Sequence, residues 1–289
     1  PSEEHLTLTL VGTTDPGATP SNRLAVYTKP LANRLLLKMV GPAGLGTALQ
    51  PLIARNKIGM LAPAGNATTA STVGAYTAPT AVGTATARTV TTANMFTRMR
   101  RLGYVSSATA GQLAGARVPV SQVTTGGTVA GGFFKVIRFG ISDAAVVATA
   151  RMFVGVTASS AAPTNVEPST LVNWIGVGHR AADTNLHLFY GGTSAQPPIN
   201  LGANFPTNTS NTDVYELALF APPNVGDVYY EVTRLNTGHV ASGLLSSNGG
   251  VAIPSNTTLL TYLQSWRTNN ATAAAVAFDI MSDYIETDY

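Results

Sequence analysis

Beyond residue 94 this chain is written in short alternating runs, and that pattern constrains the fold more than any other feature. In Val214-Tyr215-Glu216-Leu217-Ala218-Leu219-Phe220 and Val228-Tyr229-Tyr230-Glu231-Val232-Thr233-Arg234 the side chains alternate in character. Successive side chains of a strand point to opposite faces, so such runs read as half-buried strands. Candidate strands lie at 96–105, 117–123, 132–141, 147–157, 185–190, 213–220, 228–236, 239–246, 257–266 and 273–287. Gly126-Gly127, Gly191-Gly192, Pro222-Pro223-Asn224, Asn248-Gly249-Gly250 and Asn269-Asn270 supply turns between them. No strand-helix-strand alternation and no repeat of fixed period interrupts this order. The expected fold is all-β, an antiparallel β-sandwich or jelly-roll-like body. One short helix is expected near Pro168–Asn173, where Pro168 suits an early helical position.

The first part of the chain is also β-like. Leu6, Leu8 and Leu10 share one face, and Thr13-Thr14-Asp15-Pro16-Gly17 reads as a turn. Strands are expected at about 23–29, 34–40, 48–54 and 57–62. From Pro63 to Ala93 the chain is rich in Ala, Thr, Gly and Pro and has no strong apolar period. It reads either as a disordered linker or as an arm ordered against neighbouring chains. The predicted organisation is thus 1–62 as a β-rich assembly region, 63–94 as a connector, and 95–289 as a distal β-sandwich.

Composition narrows the function classes. The absence of cysteine removes disulfides and thiolate metal sites. Charged residues make up 11%, against roughly 25% in ordinary soluble domains. A neutral, hydroxyl-rich surface suits a part of a larger assembly or a protein working outside the cell. The net charge of +3 is a weak argument for nucleic acid, which needs clustered cations on its phosphates. The cluster Arg98, Arg100 and Arg101 reads as a solvated strand face or an inter-subunit contact, and no nucleic acid is expected. No apolar run spans a bilayer and no secretion signal is legible at the start, so membrane insertion is not expected. A chain starting at Pro1 is what removal of an initiator Met would leave, and a trimmed chain would look the same.

His179, Asp183 and His187 recur at four-residue spacing, which on a helix would present them together to a metal. The local sequence reads as turn then strand, with no obvious fourth ligand, so no metal and no cofactor is expected. The alternative is a hydrogen-bonded loop closing one end of the sandwich. For glycoside hydrolysis the candidate carboxylates are Asp183, Asp213, Glu216, Asp227 and Glu231. Glu216 and Glu231 read better as cross-strand partners of Arg234 or others. No nucleophile elbow and no phosphate loop occurs, since Gly191-Gly192-Thr193-Ser194-Ala195 and Gly41-Pro42-Ala43-Gly44 fit neither pattern. The chain is therefore expected not to be an enzyme. Aromatic residues offer a binding argument. Trp174, His179, Asp183, Asn185, His187 and Tyr190 would form a glycan-binding set if 174–190 is an exposed loop. The alternative makes Trp174 and Trp266 core residues.

One stretch, Thr28–Pro51, carries a resemblance. Tyr27, Lys29, Arg34, Leu35, Lys38, Gly41, Pro42, Gly44, Leu45, Thr47, Leu49, Gln50 and Pro51 stand in a pattern that resembles tailed-bacteriophage tail and tail-fibre proteins. Further similar segments are Arg151–Val156, Ile175–His179, Ala182–Leu186, Tyr215–Leu217, Tyr229–Arg234, Trp266–Asn270 and Tyr284–Tyr289. The similarity runs from about 23 to 289 and thins between 63 and 95. It departs at Leu45-Gly46-Thr47, where the family often has an acidic residue before Thr.

The resemblance implies a virion protein of the tail tip or fibre, made in the bacterial cytoplasm and assembled as a homotrimer. It implies other virion proteins and a host-surface glycan or protein receptor as partners. Leu35, Leu37, Gly41, Pro42, Gly44, Leu45 and Leu49 would then make trimer contacts. The alternatives are a purely structural baseplate, collar or capsid-decorating subunit and, further off, a polysaccharide depolymerase.

Overall fold

A computed structural model describes residues 16–20, 23–40, 46–49, 57–127, 131–223, 225–246 and 250–287. The chain divides into two compact units, Pro1–Ala54 and Arg55–Tyr289.

In the first unit β1 (Ala25–Leu31), β2 (Arg34–Val40) and β3 (Gly46–Leu49) form an antiparallel sheet in that order. Ala32 and Asn33 join β1 to β2 with φ of 47° and 59°. Two positive φ values in a two-residue loop match the right-handed twist of the flanking strands. Val26 lies opposite Met39, Thr28 opposite Leu37 and Pro30 opposite Leu35. On this face Val26 and Leu35 are 45% and 58% exposed. Leu49 pairs with Leu37. Gly41, Pro42, Gly44 and Leu45 lie outside the described residues.

The second unit opens with β4 (Lys57–Pro63), β5 (Ala70–Gly74), β6 (Thr80–Val82), β7 (Thr84–Ala87) and a helical turn α1 (Met95–Arg98). β8 (Leu102–Val105), β9 (Leu113–Val123), β10 (Phe133–Ile141) and β11 (Arg151–Thr157) follow. Next come β12 (Trp174–His179), β13 (His187–Gly191), β14 (Ile199–Asn200), β15 (Tyr215–Ala221) and β16 (Val228–Arg234). β17 (His239–Leu245), β18 (Leu260–Thr268) and β19 (Ala277–Thr287) complete it.

Two antiparallel sheets result. The β10 sheet runs β17-β16-β15-β10-β19-β4-β5, with β8 also pairing β19 and β7 pairing β8. The β11 sheet runs β14-β13-β12-β11-β18-β9-β6. One core joins them: Ile137, Phe139 and Leu217 from the β10 sheet share it with Met152, Val154, Ile175 and Leu263 from the β11 sheet. Burying each such side chain contributes about 1.5–3 kcal/mol. The unit is an antiparallel β-sandwich of jelly-roll type, as the alternation predicts.

The expected connector over 63–94 is not one. β5, β6 and β7 lie in it, and β4 pairs with β19 of the sandwich. Small Thr and Ala side chains leave no apolar period to read, yet their backbones complete sheet edges. Between β6 and β7 the chain changes sheets at Gly83, with φ of 76°. A Cβ there would sit 2.6 Å from the Leu113 carbonyl oxygen, so only glycine fits this corner.

Three further expectations are corrected. The strand expected at 96–105 begins instead as α1, because Asn94 and Thr97 cap each other's backbone amides at 2.9 and 3.1 Å. Arg101 is neither solvated nor in need of a partner subunit. It stacks on Phe96, bonds Asp279 at 2.9 Å and donates to the Met99 carbonyl. The helix expected at Pro168–Asn173 is a single 3₁₀ turn, Pro168–Thr170. Among the described residues no helix is long and apolar enough to cross a membrane.

Candidate functional site

Strand β18 lies between β11 and β9, and its two faces meet different surroundings. Toward the other sheet, Leu263 enters the shared core and Arg267 meets Asp143, just past the end of β10. On the outer face, Gln264 and Trp266 are neighbours two residues apart. Trp266 pairs in register with Phe153 of β11, and their rings stack at 6.5 Å. Phe153 in turn meets Trp174 of β12 edge-on at 4.7 Å. Phe189 of β13 completes this outer aromatic cluster. Gly176 makes room for it, since a Cβ there would fall 2.7 Å from the rim of the Phe153 ring.

The segment between β11 and β12 covers this face. It is tied at its ends by Ala158 N–H donating to the Asn173 carbonyl at 3.0 Å. Arg117 donates to the Ser160 carbonyl, and Arg151 pairs with Glu167 at 2.7 Å. Val166 and Leu171 pack down on the aromatic rings. Beneath it a cavity of about 250 Å³ remains, lined by Trp174, Trp266, Gln264, Val166, Leu171 and small residues between Ser159 and Thr164.

Two donors in the wall are unfulfilled. Gln264 is 2% exposed and Trp266 is fully buried, yet Gln264 Nε2 and Trp266 Nε1 have no hydrogen-bond partner in the protein. Buried polar groups are nearly always paired. Each orphan costs about 1–3 kcal/mol. An acceptor brought within reach of these two atoms would recover that cost.

Of the six residues expected as a glycan-binding set, Trp174 alone lines this cavity, where it is joined by Trp266. The segment 174–190 is not an exposed loop: it is the hairpin β12–β13, and the alternation of its strands divides the expected set. Trp174 points outward with Phe189, while Tyr190 packs against the main core. Asn185 pairs through its backbone with Pro206.

His179 is buried on the inner side, where its Nδ1 donates to the Arg180 carbonyl at 3.0 Å and its Nε2 accepts from Arg267 at 2.7 Å. Burial, then the Arg267 charge, pushes its pKa down to about 3. The ring is therefore neutral, with both nitrogens committed. Arg267 also forks onto Asp143 at 2.6 and 2.9 Å, and Asp143 accepts from the Ala277 amide at 2.6 Å. Asp143, Arg267 and His179 thus form one fully partnered chain inside the sandwich.

Asp183 and His187 close the end of the β12–β13 hairpin. Asp183 accepts from the Arg180 amide at 2.8 Å and forms an ion pair with its guanidinium. Burial works to raise its pKa, but the Arg180 hydrogen bonds prevail and hold it low. His187 Nδ1 lies 3.0 Å from the Asn185 carbonyl and 3.4 Å from Asp183. With His179 turned away to Arg267, this group makes no metal shell. Among the described residues no cluster of His, Cys, Asp or Glu is fit to hold a metal ion.

Glu216 bonds Arg138 at 2.6 Å, whereas Arg234, its expected partner, bonds Asp213 at 2.9 Å. Register explains this: Glu216 stands opposite Thr233.

Sequence reasoning missed Gln264 and the covering segment. A glutamine two residues before a tryptophan in an alternating run is a visible signal, because both must share a face.

No protein-family model and no curated protein matches this chain. Solved structures with some likeness include peanut lectin with a 9mer peptide, at 10% identity and a TM-score of 0.48, covering 72% of this chain and 91% of that one. Lectin II from Ulex europaeus shares 12% identity, with 73% and 93% coverage and a TM-score of 0.47. A protein of unknown function from Shewanella oneidensis MR-1 shares 12% identity, with 73% and 77% coverage and a TM-score of 0.43.

Proposed function

We propose that this protein is a glycan-binding adhesion protein of a tailed-phage tail tip or fibre, with the cavity over the outer face of the β11 sheet as its glycan site. The observation that carries the reading is the pair of unpartnered buried donors, Gln264 Nε2 and Trp266 Nε1, in a cavity walled by two tryptophans. Sugars bring what such a site lacks. Their oxygens accept hydrogen bonds and their C–H faces rest on aromatic rings. The resemblance of Thr28–Pro51 to tail and fibre proteins supports a virion setting. The low charge, 11% of residues, fits a surface that works among other proteins.

Assembly as a homotrimer belongs to the first unit in this reading. The exposed Val26 and Leu35 on the β1–β2 face offer apolar area for contacts between copies. Weak sites on several chains would then combine through effective concentration.

Two measurements test the proposal. Purified protein is applied to an array of bacterial surface glycans. Binding that is lost in Trp174→Ala supports adhesion, while silence across host polysaccharides points to a purely structural virion subunit. Light scattering is expected to give three chains per particle. A monomer at all concentrations would overturn the trimer.

A further inference from the structure

Resting on the glycan-binding reading, the chemistry of the cavity narrows which part of a sugar enters it. Its volume, about 250 Å³, is below the roughly 300–1,000 Å³ of pockets that take drug-sized molecules. A single ring or a substituent fits. The orphaned atoms of β18 in its wall are both donors, so the missing partner is an acceptor. Trp174, Val166 and Leu171 make the apolar part of the wall, and Ser159 and Thr164 add hydroxyls on the side of the covering segment.

Common sugar substituents meet these demands unequally. A hydroxyl would satisfy one donor but leave the apolar surfaces of Trp174, Val166 and Leu171 unfilled. A carboxylate would need a cation, and the nearby Arg151 is already committed to Glu167. An acetamido group has a carbonyl oxygen with two lone pairs, an N–H for which the Ser159 and Thr164 hydroxyls of the wall are acceptors, a flat amide that lies against aromatic rings, and a methyl that wants apolar walls.

We propose that the cavity is a subsite for the acetamido group of an N-acetylated amino sugar. The carbonyl oxygen accepts from Gln264 Nε2 and Trp266 Nε1, and the methyl rests among Trp174, Val166 and Leu171. No covalent step is involved, and no metal is needed to hold the sugar.

The test is a calorimetric titration of the full chain with the methyl glycosides of N-acetylglucosamine, N-acetylgalactosamine, glucosamine, glucose and galactose, and with an N-acetyl-lysine amide. The N-acetylated sugars are expected to bind at least about tenfold more tightly than their unacetylated counterparts. Gln264→Leu and Trp266→Phe should each remove that preference. Gln264→Glu, which keeps the size but replaces the donor with an acceptor, should do the same. Preference retained in a folded variant would overturn the assignment. Equal binding of acetylated and unacetylated sugars overturns the acetamido subsite and leaves the glycan reading standing. Binding of the acetylated lysine as tightly as the sugars overturns the amino-sugar assignment. No binding by any of these sugars, nor by whole host polysaccharide, overturns both readings.

Discussion

Strand β18 carries two buried polar settings on its opposite faces, and they differ in completeness. Inward, Arg267 has a partner for each of its three nitrogens, in Asp143 and His179. Outward, Gln264 Nε2 and Trp266 Nε1 have none. The inner group costs desolvation and recovers it within the protein. The outer group leaves its cost open. A fully bonded polar cluster fixes a structure, whereas an open one marks where something else belongs. Substitutions on the two faces should therefore change stability in opposite directions.

The largest effect is expected from Arg267→Met, which strands the Asp143 carboxylate in the core. Urea unfolding should show a loss of about 3–5 kcal/mol. A loss under about 1 kcal/mol would mean that the inner chain is not what joins the sheets at this point.

Acid should act through the same group. The folded pKa of His179, about 3, lies below the roughly 6.5 of an unfolded histidine. As pH falls, the unfolded chain therefore takes up the proton first. The contribution of neutral His179 is whole above pH 6.5, fades below it and is gone near 3. Across that window the protein should lose about 1.4 kcal/mol per pH unit from this group. His179→Gln, which keeps an acceptor for Arg267, should flatten the slope by that amount. Identical slopes in urea titrations of the two proteins would exclude a buried neutral ring.

On the outer face the sign reverses. Gln264→Leu removes an orphaned donor and should leave stability unchanged or raise it by about 1 kcal/mol, while glycan affinity falls. A clear loss of stability would show that the amide is already bonded in solution. The smallest change is expected from Glu167→Gln at the partly exposed ion pair with Arg151: less than about 1 kcal/mol in thermal unfolding. A larger value would make that pair a clamp on the covering segment.

Much of the sandwich was legible in the sequence, because β15 and β16 carry large apolar side chains at every second position. β5, β6 and β7 were not, since Ala and Thr show no contrast between faces and the pairing is made by backbone. α1 was missed for a local reason, as the cap made by Asn94 and Thr97 is decided by a few atoms. Trp174 could be named as a candidate from its chemistry alone. That Phe153 and Trp266 adjoin it could not be read, because β11, β12 and β18 are separate strands and only register brings the three rings together. Alternation also argues against grouping Trp174 with Tyr190, whose even spacing is broken by the loop between their strands.

The place of β19 has a consequence for how the protein is made. It lies between β10 and β4 and also pairs with β8, all of which precede it in the chain. On a ribosome, β4, β8 and β10 emerge with their middle neighbour still untranslated. The β10 sheet therefore cannot close until nearly the whole of this sequence has left the exit tunnel, and its unpaired edges must wait in solution. Slow translation would lengthen that exposure, and synthesis under chaperone depletion is the condition in which its yield should suffer first.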